Sequence, residues 1–311
     1  MLRDVVFSDI YLGQGASWLA GVPGKLDPVP TPPECASELA EIRAKCDAFV
    51  AENHKEEFAI RPRDVAYRVS VLKSLNEVVY VLRRFPEEVP KLDDLGLHPG
   101  YVEKLMEPRL TGLLVISGAF GQGKTTTASS VICARLSKYG GVAISIEDPP
   151  EMPLEGRHGE GVCYQTWVEQ GGFSQACRQA ARWAPSMIFV GEVRDPETAT
   201  EALRASINGR LVVCTAHADS VVMAVERLYT LANGAAGNSE DVASLLSNGL
   251  IAVVHQRLEG DQKRLKTESI WLAGEESKGA RNTIYQRRFS HLQNEVTLQL
   301  NRLLMGKKTA A

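Results

Sequence analysis

Short apolar runs between Val5 and Leu26 are broken by Gly13, Gly15, Gly21, Pro23 and Gly24, which predicts strands joined by turns. Pro28-Val-Pro-Thr-Pro-Pro33 is stiff chain, and Pro33 suits the first position of a helix capped near Thr31 or Pro32. Leu39, Ile42, Cys46, Phe49 and Val50 then recur three and four apart, the stripe of a helix with one buried face. Residues 58–60, 66–72 and 77–85 are rich in Val and Tyr with alternating polar positions, so three strands follow. The pattern predicts a small mixed α/β domain over 1–85. Residues 83–97 hold two prolines, four acids and few apolar anchors, which marks 86–98 as a linker. From Pro99 the pattern changes. Residues 113–117, 142–147, 187–192 and 211–215 are continuous apolar runs separated by helical stretches, as in a mostly parallel sheet buried on both faces. Leu292, Val296, Leu300, Leu303 and Leu304 form the apolar stripe of a closing helix, with a frayed end over 306–311. A second domain over 99–311 completes the chain.

Composition narrows the function classes. A length of 311 residues accommodates two domains, and 44% hydrophobic with 23% charged residues is ordinary for globular protein. Lys and Arg number 35 against 38 Asp and Glu, for a net charge of −3, so no global basic field exists to hold a polyanion, and no direct nucleic-acid partner is expected. The cysteines, Cys35, Cys46, Cys133, Cys163, Cys177 and Cys214, never form C-x-x-C and read as reduced thiols. No run approaches the roughly 18 uncharged apolar residues of a spanning helix, so no transmembrane segment is expected. His54, His98, His158, His255 and His291 are scattered without ligand spacing, so no metal site beyond Mg²⁺ is expected, and the basic runs 262–266 and Arg287-Arg288 read as solvated faces.

The chemistry enters with Gly118-Ala-Phe-Gly-Gln-Gly-Lys-Thr125, which fits G-x-x-x-x-G-K-[ST], follows an apolar strand and opens a helical segment over 126–136. Gly118, Gly121 and Gly123 let the backbone turn with its N–H groups inward, so that donors and a helix N-terminus converge on phosphate oxygens. Gln122 and Thr126 complete the backbone cradle. Lys124 is placed to reach the β- and γ-phosphates, and the Thr125 hydroxyl to bind Mg²⁺. ATP with Mg²⁺ is the expected ligand. Glu147-Asp-Pro-Pro-Glu151 follows the strand VAISI, where open α/β sheets bind ligands, and an acid there can orient and deprotonate water. Ile188-Phe-Val-Gly-Glu192 is a second strand ending in an acid, the layout that contacts Mg²⁺ directly or through water, with Gly191 where an aspartate is usual. The general base is Glu147 or Glu192, with Glu147 the first candidate. His217 ends the strand LVVCTAH, where a polar group can sense the γ-phosphate or serve only as a structural histidine.

The order of these motifs resembles the type II/type IV secretion and pilus ATPase superfamily. GAFGQGKTTT is similar to its Walker A, IEDPPE to its acidic box, IFVGEVRDPETA to its Walker B, including the Gly191-Glu192 pair, and CTAHADS to its histidine box, though Ala216 and Ala218 depart from it. The resemblance implies a RecA-like P-loop core behind a PAS-like N-terminal domain, which SDIYLGQGASWLAGVPGKLDPV and YRVSV resemble more weakly. It implies a homohexameric ATPase powering secretion, conjugative transfer or type IV pilus dynamics from the cytoplasmic face of an inner-membrane platform. It also implies that Arg68 and Arg83 approach the nucleotide phosphates, the alternative being surface ion pairs, and that Arg178 and Arg182 sit where the family carries arginines. The tetracysteine zinc module of assembly ATPases is absent, which favours the retraction, conjugative or related branches. Residues 152–166 match no branch. A RecA-like helicase or recombinase and a non-hydrolysing nucleotide switch are the rival readings, the first requiring nucleic-acid contacts and the second a loss of the acids.

Overall fold

The computed structural model describes residues 2–168, 171–260, 263–274 and 277–306, and the chain divides into two compact units, Met1–Glu87 and Glu88–Ala311.

In the first unit the alternating segments become β1 (Asp9–Leu12), β2 (Ser17–Ala20), β3 (Val29–Pro30), β4 (Glu57–Ile60), β5 (Tyr67–Lys73) and β6 (Val78–Arg84), in one antiparallel sheet of order β3-β2-β1-β6-β5-β4. The proline-rich stretch is therefore not only a connector, since Val29 and Pro30 pair with Leu19 and Trp18 at the sheet's edge, where a missing N–H is tolerated. Pro33–Cys35 forms a 3₁₀ turn that leads into α1 (Ala36–Asn53). Leu39, Ile42 and Cys46 of α1 are buried against Ile10, Phe58, Val69 and Leu82, and Phe49 stacks on Phe58 with centroids 4.3 Å apart.

The second unit begins inside the stretch read as linker. Leu92 and Leu97 are buried in its core, and the Pro90 carbonyl accepts a 2.7 Å hydrogen bond from Ser130, so apolar anchors hidden among the acids bind this stretch to the unit. It continues through α2 (Pro99–Leu105), β7 (Gly112–Ser117), α3 (Lys124–Tyr139), β8 (Gly141–Glu147), β9 (Gly156–His158), β10 (Gly161–Trp167) and α4 (Phe173–Arg182). After these come β11 (Met187–Val190), α5 (Pro196–Ser206), β12 (Leu211–Ala216), α6 (Val221–Ala236) and α7 (Ser239–Gly249). The chain ends with β13 (Leu250–Glu259), β14 (Arg264–Trp271), α8 (Lys278–Tyr285) and α9 (Leu292–Gly306).

Eight strands form one sheet of order β14-β13-β7-β12-β11-β8-β10-β9. The six inner strands are parallel, and each edge strand is antiparallel to its neighbour. This is an α/β fold of the RecA-like kind. Successive side chains of β7 divide between two cores: Leu113 and Val115 pack under α4 to α8, whereas Leu114 and Ile116 pack under α2 and α3. At one edge α9 covers β14, and the Gln299 amide accepts from the Trp271 N–H at 2.8 Å and donates to its carbonyl at 2.9 Å. The edge strand's polar groups are thus satisfied by a helix. Leu292 and Val296 are buried as expected and Leu303 packs half-buried on the core, but Leu304, one position on and so turned about 100° around the helix, is exposed. Most of the expected frayed tail, 307–311, and Gln262 of the basic run lie outside the described residues.

Candidate active site

The parallel strands bring their C-terminal ends to one rim. Ser117 of β7, Glu147 of β8, Val190 of β11 and Ala216 of β12 each end a strand there, buried throughout in β7, β11 and β12 and from Ala143 onward in β8. A chain leaving such an end must turn, and what it carries into the turn lies at the crevice where α/β sheets bind ligands.

Between β7 and α3 runs the glycine-rich loop. Gly121 and Gly123 sit at φ of 72° and 75°, and Gly123 is the N-cap of α3, so the first N–H groups of that helix face the loop's hollow. A Cβ on Gly118 would stand 2.4 Å from the backbone oxygen of Gln256, which fixes a glycine where the loop leaves β7 beside β13. That strand holds the loop further. Gln256 donates to the Gln122 carbonyl at 2.6 Å, and the Gln122 side chain accepts from the Leu258 N–H at 2.6 Å. The Gln122 side chain is therefore engaged with β13, and it is the residue's backbone that belongs to the cradle. Thr125 and Thr126 open the first turn of α3, both half-buried.

Lys124 is 7% exposed, and its ammonium donates to the Ala119 carbonyl at 2.8 Å. It also meets Nδ1 of His217 at 3.4 Å, while Nε2 of His217 lies 3.2 Å from a Glu192 oxygen. Because an ammonium only donates and a carboxylate only accepts, the imidazole between them is neutral, with its proton on Nε2. Burial lowers the His217 pKa against the raising influence of Glu192, which agrees with that assignment. Burial likewise lowers the Lys124 pKa, with Glu192 and Glu151 opposing. The other Glu192 oxygen accepts from Arg194 at 2.7 Å. An unbroken chain thus runs from the loop's lysine through His217 to Glu192 and Arg194. The ring of exposed Phe120 lies parallel to His217, with centroids 6.3 Å apart.

Glu147 occupies the adjacent strand end. It is 2% exposed, and burial pushes its carboxyl up to about 7 even though hydrogen bonds from neighbours pull it down. Its two oxygens accept from the Gln165 side-chain amide at 2.8 Å and from the Glu151 N–H at 3.4 Å. The glycine before Glu192 has a physical reason in this packing. A Cβ at Gly191 would lie 3.1 Å from Cγ of Glu147, so a larger residue there would crowd the buried carboxylate. The Gly191 N–H donates to the Ile146 carbonyl at 2.8 Å and its own carbonyl accepts from the Thr215 hydroxyl, which ties the ends of β8, β11 and β12 together.

Four sequence-marked groups, Lys124, His217, Glu192 and Glu147, therefore gather at the rim with the loop. Arg68 and Arg83 are found in the first unit, paired with Glu57 at 3.4 Å and with Asp9 at 2.7 Å. Arg178 pairs with Glu201 at 3.4 Å, and Arg182 is exposed. Among the scattered histidines, His98 caps α2, His158 meets the Leu154 carbonyl and His255 meets the Ser117 hydroxyl. Sequence reasoning passed over Gln165, Gln256 and Arg194. Gln165 stands in the hairpin of β9 and β10, built from the otherwise unmatched 152–166. All six cysteines are free thiols, five of them buried.

For Mg²⁺ and a nucleotide phosphate chain the donor set fits. The cradle is closed to any Cβ at Gly118, the Thr125 hydroxyl and the Glu192 carboxylate, the latter now bonded to His217 and Arg194, are oxygens of the kind Mg²⁺ takes, and Mg²⁺ ordinarily completes its shell with water and phosphate. No cluster of three or more His, Cys, Asp or Glu able to hold a metal exists among the described residues. No helix among the described residues is long and apolar enough to cross a membrane.

The model of the family described as "Type II/IV secretion system protein" matches residues 45–298. The chain is 35% identical over 231 residues to the type IV pilus ATPase PilU of Pseudomonas aeruginosa, covering 71% of this chain and 59% of that protein. It is 31% identical over 227 residues to the type IV pilus assembly ATPase PilB of Thermus thermophilus, covering 70% of this chain and 25% of that protein. It thus spans less than two thirds of the length of either relative. Among solved structures, the pilus retraction motor PilT with bound ADP superposes with a TM-score of 0.76 at 29% identity, covering 94% of this chain and 86% of that one. The ATPase DotB of Legionella pneumophila shares the fold, with a TM-score of 0.73 at 22% identity over 93% of this chain and 84% of that one. A family match over most of the chain, joined to a phosphate loop and acid-tipped strands in the family's order, means that the chain belongs to the type II/IV secretion system protein family.

Proposed function

We propose that this chain is a motor subunit that hydrolyses ATP and passes the work to a secretion, conjugation or type IV pilus machine. The observation that carries the reading is the chain of contacts from Lys124 through His217 to Glu192, beside a buried Glu147 on the next strand. It joins the group that would hold the γ-phosphate to the groups that would hold metal and water.

In this reading the backbone of Gly118, Gly121, Gln122, Gly123 and Thr126 cradles the phosphates, and Lys124 turns from the Ala119 carbonyl toward them. Thr125 and Glu192 hold Mg²⁺, which when bound neutralises charge developing on the phosphate oxygens. Glu147, with a pKa raised to about 7, is poised to take a proton from the attacking water. His217, freed from Lys124 when that side chain engages phosphate, reports the γ-phosphate to Glu192 and Arg194. Arg68 and Arg83 supply further positive charge to the phosphates, as the family resemblance implies. The family resemblance also supports a homohexamer working from the cytoplasmic side on platform proteins of the inner membrane.

Steady-state ATP hydrolysis across size-exclusion fractions, with in-line light scattering, tests this. Turnover confined to a hexamer-sized peak, and reduced about 100-fold or more in Lys124→Ala, is the expected result. Wild-type turnover retained by Lys124→Ala would end the reading.

A further inference from the structure

Gln165 sits on β10, whose register with β8 sets Gln165 opposite Ser145 and Trp167 opposite Glu147. From there its side-chain nitrogen reaches Glu147 Oε1 and the Met152 carbonyl, each at 2.8 Å. Both partners are acceptors, so the amide orientation is not free: the NH₂ group must face them, and its two hydrogens are both engaged. The Gln165 backbone N–H is held in turn by Glu155 at 2.5 Å. The amide is anchored by a backbone carbonyl on one side and a carboxylate on the other, in a hairpin that no sequence motif had explained.

We propose that Gln165 is a positioning residue for hydrolysis, fixing the Glu147 carboxylate in its ionised form and aiming its second oxygen at the site of the attacking water. The proposal deepens the reading of Glu147 as base and rests on it. Without Gln165 the buried carboxylate would keep a long backbone bond, 3.4 Å from the Glu151 N–H, and the weaker influence of the Ser145 hydroxyl. Gln165 supplies a stronger donor without adding a charge, so the base gains ionisation and keeps its proton affinity near neutrality. The other groups facing Glu147 act differently. Glu151, on the same loop, raises its pKa by repulsion. On β10 the Cys163 thiol is itself pushed up to about 12 and stays neutral, and Glu155 is bonded to the Gln165 backbone. Lys124 feels Glu151 and Glu192 more than Glu147. Gln165 is thus the side-chain amide that donates to a Glu147 oxygen at 2.8 Å, and the Ser145 hydroxyl, next along β8 on the same face, lowers the Glu147 pKa less than Gln165 does.

Two readouts on the full chain test this, one of them independent of turnover. Infrared difference spectra, with Glu147→Gln assigning the band, report the protonation of Glu147 as pH is raised. In Gln165→Leu the midpoint should rise by about one pH unit, a tenfold change in acid dissociation, and in Gln165→Glu by more, because a second carboxylate then faces the first. The acidic limb of the kcat profile should move by the same amount, so that turnover lost near neutrality returns at higher pH while nucleotide Kd stays put. Gln165→Leu should add nothing further in a Glu147→Gln background. An unmoved infrared midpoint overturns the proposal, as does a turnover loss equal at every pH. Full turnover in Glu147→Gln would instead overturn the assignment of the base, while the infrared midpoint still decides whether Gln165 controls the carboxylate.

Discussion

Glu147 carries an energetic cost along with its chemistry. Its pKa in the folded chain is about 7 against an ordinary 4.5, so the folded state holds a proton more tightly than the unfolded one. Its contribution to stability is full below the ordinary carboxylate range and is lost as pH rises through about 7. Replacing the carboxylate by an amide removes this dependence and retains an oxygen that can accept from Gln165. Glu147→Gln should therefore stabilise the chain by up to about 3 kcal/mol near pH 8, with little gain near pH 4. Urea unfolding at both pH values checks it, and an equal effect at the two pH values would contradict the assigned burial cost. The acid itself was legible in the sequence because it ends an apolar strand after a phosphate loop. Gln165 was not, because a neutral amide in a strand belongs to no motif and its meaning comes only from the β8–β10 register.

At the level of elements, β13 is the floor beneath the phosphate loop. Gln256 is 1% exposed, bonds the Gln122 carbonyl with its nitrogen, and leaves its own oxygen without a partner among the described residues. Gln256→Leu should lose one hydrogen bond worth about 1 kcal/mol and recover a similar amount by removing that unpaired oxygen. The melting temperature should hardly move. The loop, however, loses a tie, and nucleotide affinity should fall about five- to tenfold, readable from a fluorescent-nucleotide isotherm. A large drop in melting temperature with unchanged affinity would mean that β13 supports the fold and not the loop. The only break the sequence offers between α7 and β13 is Ser247-Asn248-Gly249, because Leu250 opens the strand directly after Gly249 with no connecting loop. The β9–β10 hairpin was equally hidden, because His158, Gly159, Glu160 and Gly161 interrupt any alternation, whereas β7, β8, β11 and β12 were plain as continuous apolar runs. Parallel strands buried on both faces announce themselves, and edge hairpins depend on neighbours the sequence does not name.

At the scale of the whole chain, each unit encloses its own hydrophobic core, and every group of the Lys124–His217–Glu192 chain, with Glu147 and Gln165, belongs to Glu88–Ala311. Sheet and helices there bury side chains on both faces, which is the condition for independent folding. The unit from Glu88 to Gly306, produced alone, should fold cooperatively and bind Mg²⁺·ATP. At a nucleotide concentration about 100 times Kd, binding contributes about 2.7 kcal/mol, which for a domain of this size raises the melting temperature by roughly 5–10 °C. Calorimetry with and without nucleotide measures that shift, and a noncooperative melt would show that the second unit's core is insufficient alone. The affinity of the isolated unit, set against that of the full chain, then tests whether Arg68 and Arg83 contribute, as the family resemblance implies. An affinity deficit of about tenfold, reproduced by Arg68→Ala with Arg83→Ala in the full chain, is the result expected if the two guanidiniums exchange Glu57 and Asp9 for phosphate oxygens. Equal affinity would leave them as ion-pair partners of the first unit's sheet, and the proposed hydrolysis would then rest on the second unit's rim alone.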